Sequence, residues 1–255
     1  MQQFRSEESP GARPAGPARP APPRAPLRLA ATLAFAGVVV SLLAGLFHAD
    51  SANANDHAAT FAEYARSGIW TAVHLGQFAG MGLLVAGLLV LIVVLKPPDG
   101  ALAWTARSAA VAAVAALVLY AALQAVDGVA LKHAVDAWAA AAEPEKAGRF
   151  ATAEGIRWLE WGMRSYQSFV LGAALVLTGA VIAGTGRVSR PPGYLMVLSG
   201  LAYLAQGWII GAVGFSSANA IPTLAGIVLV LVWSVWLLAV AWSGKSRAPA
   251  GEREA

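Results

Sequence analysis

The stretch TAVHLGQFAGMGLLVAGLLVLIVVL, residues 71–95, decides the fold of this chain. None of its 25 residues is Asp, Glu, Lys or Arg. A helix of about 20 such residues crosses the hydrocarbon core of a bilayer, which is roughly 30 Å thick. A half-buried strand would instead alternate apolar and polar side chains. The stretch therefore predicts a transmembrane helix.

Five other apolar runs in the chain are long enough to do the same. Together the six runs are residues 29–47, 71–95, 106–127, 163–184, 194–215 and 220–242. A segment inside a bilayer must satisfy its own backbone hydrogen bonds, and a helix does so. We predict an all-α polytopic membrane protein, a bundle of six transmembrane helices.

The composition supports a membrane protein whose partner is the lipid bilayer. Of the 255 residues, 58% are hydrophobic and 13% are charged, whereas soluble domains average about 25% charged residues. The net charge of +4 does not indicate nucleic acid, because the basic residues lie between apolar runs. The chain has no cysteine, which excludes thiolate ligands and disulfides. Its richness in Arg, Ala, Gly and Pro is typical of high-GC bacteria.

Charge between the runs predicts the topology. If the N-terminus is cytoplasmic, the inner side holds 12 basic and five acidic residues, and the outer side holds six basic and nine acidic residues. Lys and Arg are enriched on the cytoplasmic side of membrane proteins. We predict a bacterial inner-membrane protein with both termini in the cytoplasm.

Three regions follow from this reading. Residues 1–27 are rich in Pro, Ala and Arg and predict a disordered cytoplasmic tail. Residues 28–243 form the transmembrane domain, and residues 244–255 form a second cytoplasmic tail. The sequence at 52–54, Ala-Asn-Ala, resembles a signal-peptide cleavage site, but the preceding apolar run exceeds the usual 7–15 residues. We therefore expect a retained first helix.

Two of the outer connections predict short amphipathic helices on the outer surface, at residues 56–69 and 144–161. Asp56 is a candidate N-cap for the first, and Pro144 suits the first turn of the second.

The fourth run carries the clearest polar face. Glu160, Arg164 and Gln167 fall on one side of a helix, and Glu160 and Arg164 have the i, i+4 spacing of an ion pair. Ionisable groups in a membrane usually face the interior of the bundle. The functional interpretation is an anion-binding or proton-handling site at Arg164. The structural alternative is an ion pair that holds the fourth helix against the third.

The second and third runs add polar residues at the same membrane level. Gln124 and Asp127 share one helical face, as do His74 and Gln77. Asp127 is the best candidate for a general acid or base, with Glu160 as the second. The simpler alternatives are that Asp127 pairs structurally and that His74 is an interfacial residue.

All four histidines fall in the predicted outer half, and carboxylates accompany them. The histidines are His48, His57, His74 and His133, and the carboxylates are Asp50, Asp56, Asp127 and Asp136. Such clusters suit zinc or a similar cation. However, no local ligand spacing such as H-E-x-x-H is present, and polar residues at helix ends often only face water. The sequence therefore assigns no metal ligand, and the cofactor stays unknown.

Two strings carry a family resemblance: DGVALKHAVDAW at 127–138 and RWLEWGMRSYQSF at 157–169. They resemble segments of uncharacterised six-helix integral membrane proteins, classed as a domain of unknown function, from high-GC bacteria. The resemblance covers roughly residues 30–243. It implies a fold and a location and brings no activity with it.

We predict a polar pocket open to the outer side. Its predicted lining is His74, Gln77, Gln124, Asp127, Glu160, Arg164 and Gln167. The first functional hypothesis is binding of a small amphiphilic or anionic ligand, as a transporter or accessory subunit. The second is a membrane enzyme that uses Asp127 and Glu160 as acid and base on a lipid-like substrate. The third is a structural or accessory subunit, in a homo- or hetero-oligomer.

Overall fold

The computed structural model describes residues 22–49 and 51–243. The described residues form eight α-helices: α1 (Arg24–Gly45), α2 (His57–Arg66), α3 (Trp70–Leu95), α4 (Ala101–Ala125), α5 (Lys132–Ala139), α6 (Glu143–Thr185), α7 (Arg190–Val213) and α8 (Ala220–Trp242). A π-helical segment, Val126–Leu131, joins α4 to α5 without a break. Six of these helical stretches are long and apolar enough to cross a membrane, which confirms the predicted class.

The six long helices are arranged in a closed ring. Going round it, α1 packs on α3, α3 on α4, α4 on α6, α6 on α7, α7 on α8, and α8 on α1. Large apolar side chains fill one end of the interior, including Leu88, Leu95, Ile182 and Trp233. At the other end the helices surround the polar residues described below.

Small residues allow the closest contacts of the ring. A Cβ atom on Gly172 of α6 would lie 2.7 Å from the carbonyl oxygen of Gly200 of α7, and one on Gly193 would lie 2.8 Å from that of Gly179. No real side chain fits at these separations, so the α6 and α7 backbones touch directly. Close backbone approach is a common means of helix association in membranes.

Two of the membrane-spanning helices are far longer than a bilayer requires. Helix α6 has 43 residues, which at 1.5 Å per residue is about 64 Å. The continuous stretch Ala101–Ala139 has 39. Both therefore extend beyond the hydrocarbon core at the same end. There α2, α5 and residues 143–161 of α6 form a structure that we call the cap.

The cap has a core of its own. It consists of Phe61, Tyr64, Trp70, Leu131, Val135 and Ala153. Lys132 fixes α2 on this core, because its Nζ donates to the carbonyls of Tyr64 and Ala65 at 3.2 and 3.1 Å and pairs with Asp136 at 2.7 Å. The cap is thus a packed unit above the polar end of the ring.

Two predicted boundaries differ from the structure. Residues 144–161 do not form a separate helix but continue into the fourth span, since after Pro144 no proline interrupts the helix before residue 191. Helix α1 begins at Arg24, after Pro23, so the last residues of the predicted disordered tail are helical. Residues 1–21 and 244–255 lie outside the described residues.

Candidate functional site

The π-helical segment is the structural origin of the site. A π-helix changes the hydrogen-bond pattern of an α-helix locally, and such segments occur often at functional sites. Two side chains from the start of α3 donate to carbonyl oxygens in this segment: Trp70 Nε1 to Asp127 at 2.8 Å, and Thr71 Oγ1 to Gly128 at 2.8 Å. The first turn of α3 is therefore attached to the segment that carries Asp127.

The same contact brings His74 against Asp127. His74 Nε2 lies 3.0 Å from Asp127 Oδ2, an ion pair when the ring is protonated, but the two atoms do not have the geometry of a hydrogen bond. His74 Nδ1 lies 2.8 Å from the Trp70 carbonyl oxygen. Since a carbonyl only accepts, Nδ1 carries the proton and donates. Asp127 Oδ1 is buried and has no hydrogen-bond partner among the described residues.

An ion pair within α6 lies nearby. Arg157 Nη1 donates to Glu160 Oε2, and each residue is only 3% exposed. The Arg157 guanidinium also contacts three rings, with its carbon 5.6 Å from the centre of Tyr64, 5.9 Å from Trp161 and 5.0 Å from Phe215. This cation is thus held by one carboxylate and three aromatic faces.

The predicted ion pair between Glu160 and Arg164 is wrong. On a helix, residues three and four apart are both neighbours, and Glu160 pairs with Arg157, three residues before it. Arg164 forms no ion pair with any residue that the structure describes. Its charge is available to the interior of the ring instead.

These residues surround a cavity of about 300 Å³, which we call the polar chamber. Its polar lining consists of His48, Tyr64, Gln77, Tyr120, Gln124, Asp127, Arg157, Glu160, Arg164, Gln206, Asn219 and Thr223. The chamber lies beneath the cap, between α3, α4, α6, α7 and the loops that connect α1 to α2 and α7 to α8.

A second cavity adjoins the polar chamber and is mostly apolar. It has a volume of about 430 Å³, and we call it the apolar chamber. The two chambers share Gly45, Gln77, Tyr120 and Arg164 in their linings. The remaining lining of the apolar chamber includes Leu42, Leu46, Met81, Leu84, Leu171, Ile227 and Val230. The polar chamber and the apolar chamber thus lie side by side at the four residues that they share.

Gln167 is one of the polar residues that line the apolar chamber. It is fully buried, and neither its Oε1 nor its Nε2 has a hydrogen-bond partner within the described part of the chain. A buried amide without partners costs about 1–3 kcal/mol of stability. This unpaired amide therefore gives the apolar chamber a polar group that can form hydrogen bonds with a ligand.

The structure brings the seven predicted lining residues together at one end of the ring. The polar chamber is lined by five of them, Gln77, Gln124, Asp127, Glu160 and Arg164, and the apolar chamber is lined by Gln167. His74 lies behind Asp127 and faces a small cavity between α3 and α4. Their roles in binding or catalysis stay predictions.

Three residues of the site are absent from the lining that the sequence predicted. His48 and Phe215 lie in loops, and Tyr64 lies on the amphipathic α2. They reach the polar chamber because these two loops and α2 lie over it. Of the other predicted polar residues, His57 pairs with Glu154 in the cap at 2.9 Å, and His133 is exposed on α5. Asp50 lies outside the described residues.

The geometry defines a multi-pass integral membrane protein whose helical cap covers a two-part cavity. The family model with the description "Domain of unknown function (DUF4386)" matches residues 29–241. The chain belongs to this family, as the resemblance of its two polar strings implied. Neither the curated proteins nor the solved structures gave a match.

Proposed function

We propose that this protein binds an amphiphile with an anionic headgroup from the surrounding bilayer. The observation that carries the proposal is that Arg164 lines both chambers, one polar and the other mostly apolar. A headgroup in the polar chamber would meet this guanidinium, and its acyl or isoprenoid chain would lie in the apolar chamber. Apolar burial supplies affinity and a few placed polar groups supply orientation in most small-molecule sites.

The charge of Arg164 supports an anionic headgroup. The other arginine of the chamber, Arg157, is already paired with Glu160. Arg164 has no such carboxylate among the described residues, and Arg binds phosphate or carboxylate through paired, directed hydrogen bonds. Gln77 and Tyr120 flank it at the junction of the chambers and offer further hydrogen bonds.

The apolar chamber also has a route to lipid. Leu46 at the end of α1 lines it and is 77% exposed, and Ile227 of α8 lines it and is 38% exposed. The chamber therefore extends to the protein surface between these two helices. A bilayer amphiphile could enter sideways there without passing through water.

Titration with defined lipids tests the proposal. We expect the detergent-purified protein to bind phosphatidylglycerol in native mass spectrometry and to bind uncharged diacylglycerol more weakly. Arg164→Gln should weaken phosphatidylglycerol binding about 10- to 100-fold, because a hydrogen bond to a charged group contributes about 1.5–3 kcal/mol.

Arg107→Gln is the matched control, since Arg107 is exposed on α4 outside both chambers and lies over the Trp104 ring. It should bind like the wild type. Equal affinities of the Arg164→Gln and Arg107→Gln variants would refute the role of Arg164. If inorganic phosphate bound with the same affinity as the lipid, the proposal that the ligand is an amphiphile would be refuted.

A membrane enzyme is the second candidate. Asp127 lines the polar chamber with a carboxylate oxygen that lacks a partner in the described structure, so a bound substrate could exchange a proton with it. Glu160 is less suited to this role, because its carboxylate is engaged by Arg157. A purely structural role would leave no cavity between these residues, and the chambers count against it.

We further propose the bacterial inner membrane as the location, with both termini in the cytoplasm and the cap outside. The basic bias of the connections opposite the cap supports this orientation. Because the chain has no cysteine, single cysteines report topology without background. Ala140→Cys in the cap should react with a membrane-impermeant maleimide in spheroplasts, and Asp99→Cys between α3 and α4 should react only after lysis. The opposite labelling pattern would reverse the orientation.

A further inference from the structure

We propose that His48, His74 and Asp127 form a binding site for a divalent transition metal such as Zn²⁺ or Fe²⁺. One ligand atom from each of these residues lies within 4.8 Å of the others. Two imidazoles and one carboxylate are a common ligand set for both metals. The inference concerns the metal alone and does not depend on the proposed amphiphile.

The contact between His74 and Asp127 is the first support. Ligand atoms of a tetrahedral zinc ion lie about 3.3 Å apart, given metal–ligand distances of about 2.0–2.2 Å. The distance of 3.0 Å between Nε2 and Oδ2 is close to that value, and the two atoms are not aligned for a hydrogen bond with each other. Both observations fit two ligands that point at a shared third atom.

The tautomer of His74 is the second support. Its Nδ1 donates to the Trp70 carbonyl at 2.8 Å, which leaves a lone pair on Nε2 in the neutral ring. Histidine ligands of metals almost always donate their other N–H to a carbonyl or carboxylate in this way. A bare Nε2 and a carboxylate oxygen 3.0 Å apart repel each other, and a cation between them turns that repulsion into attraction.

The burial of Asp127 is the third support. The residue is 9% exposed, and its Oδ1 has no hydrogen-bond partner within the described residues. A buried carboxylate needs a paired charge or a metal. Arg157, the buried arginine beside the site, is engaged with Glu160, and His74 carries a charge only when its ring is protonated. A divalent cation would supply the missing charge.

His48 completes the set from a different part of the chain. Its ring centre lies 5.1 Å from that of His74 and 4.7 Å from that of Trp70. The loop that follows it is held by Glu63, whose carboxylate accepts hydrogen bonds from the backbone N–H groups of Ser51 and Ala52 at 3.0 and 2.9 Å. This anchoring keeps the end of α1 and its histidine over the chamber.

The arrangement has three protein ligands and faces the polar chamber through His48 and Asp127. Structural zinc sites usually have four protein ligands, whereas sites with three keep a position for water or a bound molecule. The proposed metal would therefore present an open position to whatever occupies the polar chamber.

Metal binding by the purified full-length protein tests the inference. After chelator treatment, the protein should bind one equivalent of Zn²⁺, measured by competition with a chromophoric chelator. It should also bind Co²⁺ and show the visible absorption of a low-symmetry site with nitrogen and oxygen ligands. Titration with Fe²⁺ under anaerobic conditions gives the affinity for that metal. Comparison with the Zn²⁺ affinity shows which of the two metals the site prefers.

Three substitutions should each remove a ligand: His48→Gln, His74→Gln and Asp127→Asn. Loss of a residue that only hydrogen-bonds to a metal ligand weakens metal binding about 10–100-fold. Each of these substitutions removes a ligand itself and should weaken Zn²⁺ binding by more than that. His133→Gln is the matched control, because His133 is exposed on α5 and should leave the affinity unchanged.

His48→Gln lies in a loop and keeps the His74 contacts that join α3 to the π-helical segment, so it tests the site if the other variants fail to fold. The Co²⁺ spectrum of this variant should differ from that of the wild type. Zn²⁺ should raise its melting temperature by less than it raises that of the wild type. Wild-type protein that binds no metal, or a His48→Gln variant with wild-type affinity and spectrum, would overturn the inference.

Discussion

Arg157→Met should be among the most destabilising single substitutions in the chain. The variant leaves Glu160 buried at 3% exposure without its guanidinium partner. Removal of one member of a buried ion pair typically costs about 3–5 kcal/mol, because the remaining charge is desolvated and uncompensated. The contacts of Arg157 with the Tyr64 and Phe215 rings, which join α6 to the cap and to the loop after α7, are lost as well.

The free energy of unfolding in a reversible SDS titration measures this effect. Arg149→Met is the matched control: Arg149 also pairs with a glutamate of α6, Glu145, at i, i+4 spacing and 3.4 Å, but both side chains are more than half exposed. Surface pairs contribute about 0–1 kcal/mol, so this variant should resemble the wild type.

A double variant separates charge from packing. If the uncompensated carboxylate causes the loss, Arg157→Met combined with Glu160→Gln should recover most of it, since a buried pair can be replaced by uncharged groups at little cost. Equal losses in the single and double variants would mean that the aromatic contacts of Arg157 stabilise the cap and that the ion pair does not.

The sequence predicted the membrane helices well because their cause is local. An apolar run such as residues 71–95 is long enough to span a bilayer regardless of its neighbours, and the structure has a helix there from Trp70 to Leu95. The polar faces of the third and fourth runs were also readable, because helical periodicity places Gln124 with Asp127 and Glu160 with Arg164.

Pairing within the site was not readable, because it depends on the surroundings of each face. Glu160 has an arginine on either side in sequence, at positions 157 and 164, and helix geometry allows both pairs. The choice follows from the cap: Tyr64 and Phe215 form a buried position for Arg157, while Arg164 lies at the junction of two cavities. Nothing local to α6 carries that information.

The metal-ligand set was hidden for a related reason. His48, His74 and Asp127 come from a loop after α1, the first turns of α3 and a π-helical segment after α4. Their sequence spacing resembles no local ligand motif. No characteristic residue type marks the π-helical segment that turns Asp127 towards His74. The sequence grouped these residues with other outer histidines and carboxylates but could not choose among them, and the steric meaning of Gly128 appears only when α3 is in place.

Gly128→Ala should disrupt this contact severely. An added Cβ would lie 2.5 Å from His74 Cβ and 2.9 Å from His74 Cγ. The His74 Cβ is fixed by the backbone and cannot rotate away, so α3 and the π-helical segment must separate. Overpacking of this kind costs about 1–3 kcal/mol. Separation also lengthens the hydrogen bonds from Trp70 and Thr71, each contributing about 1 kcal/mol.

The unfolding free energy and the Zn²⁺ affinity should therefore fall together in this variant. One displacement moves His74 and also breaks the hydrogen bonds from Trp70 and Thr71 that hold the segment with Asp127. Gly155→Ala on α6 is the control, since its Cβ would meet no atom within 4 Å, and Ala is favoured over Gly in a helix by up to about 1 kcal/mol. A Gly128→Ala protein as stable as Gly155→Ala would mean that α3 does not pack against the π-helical segment this closely, and the geometry proposed for the metal would fail with it.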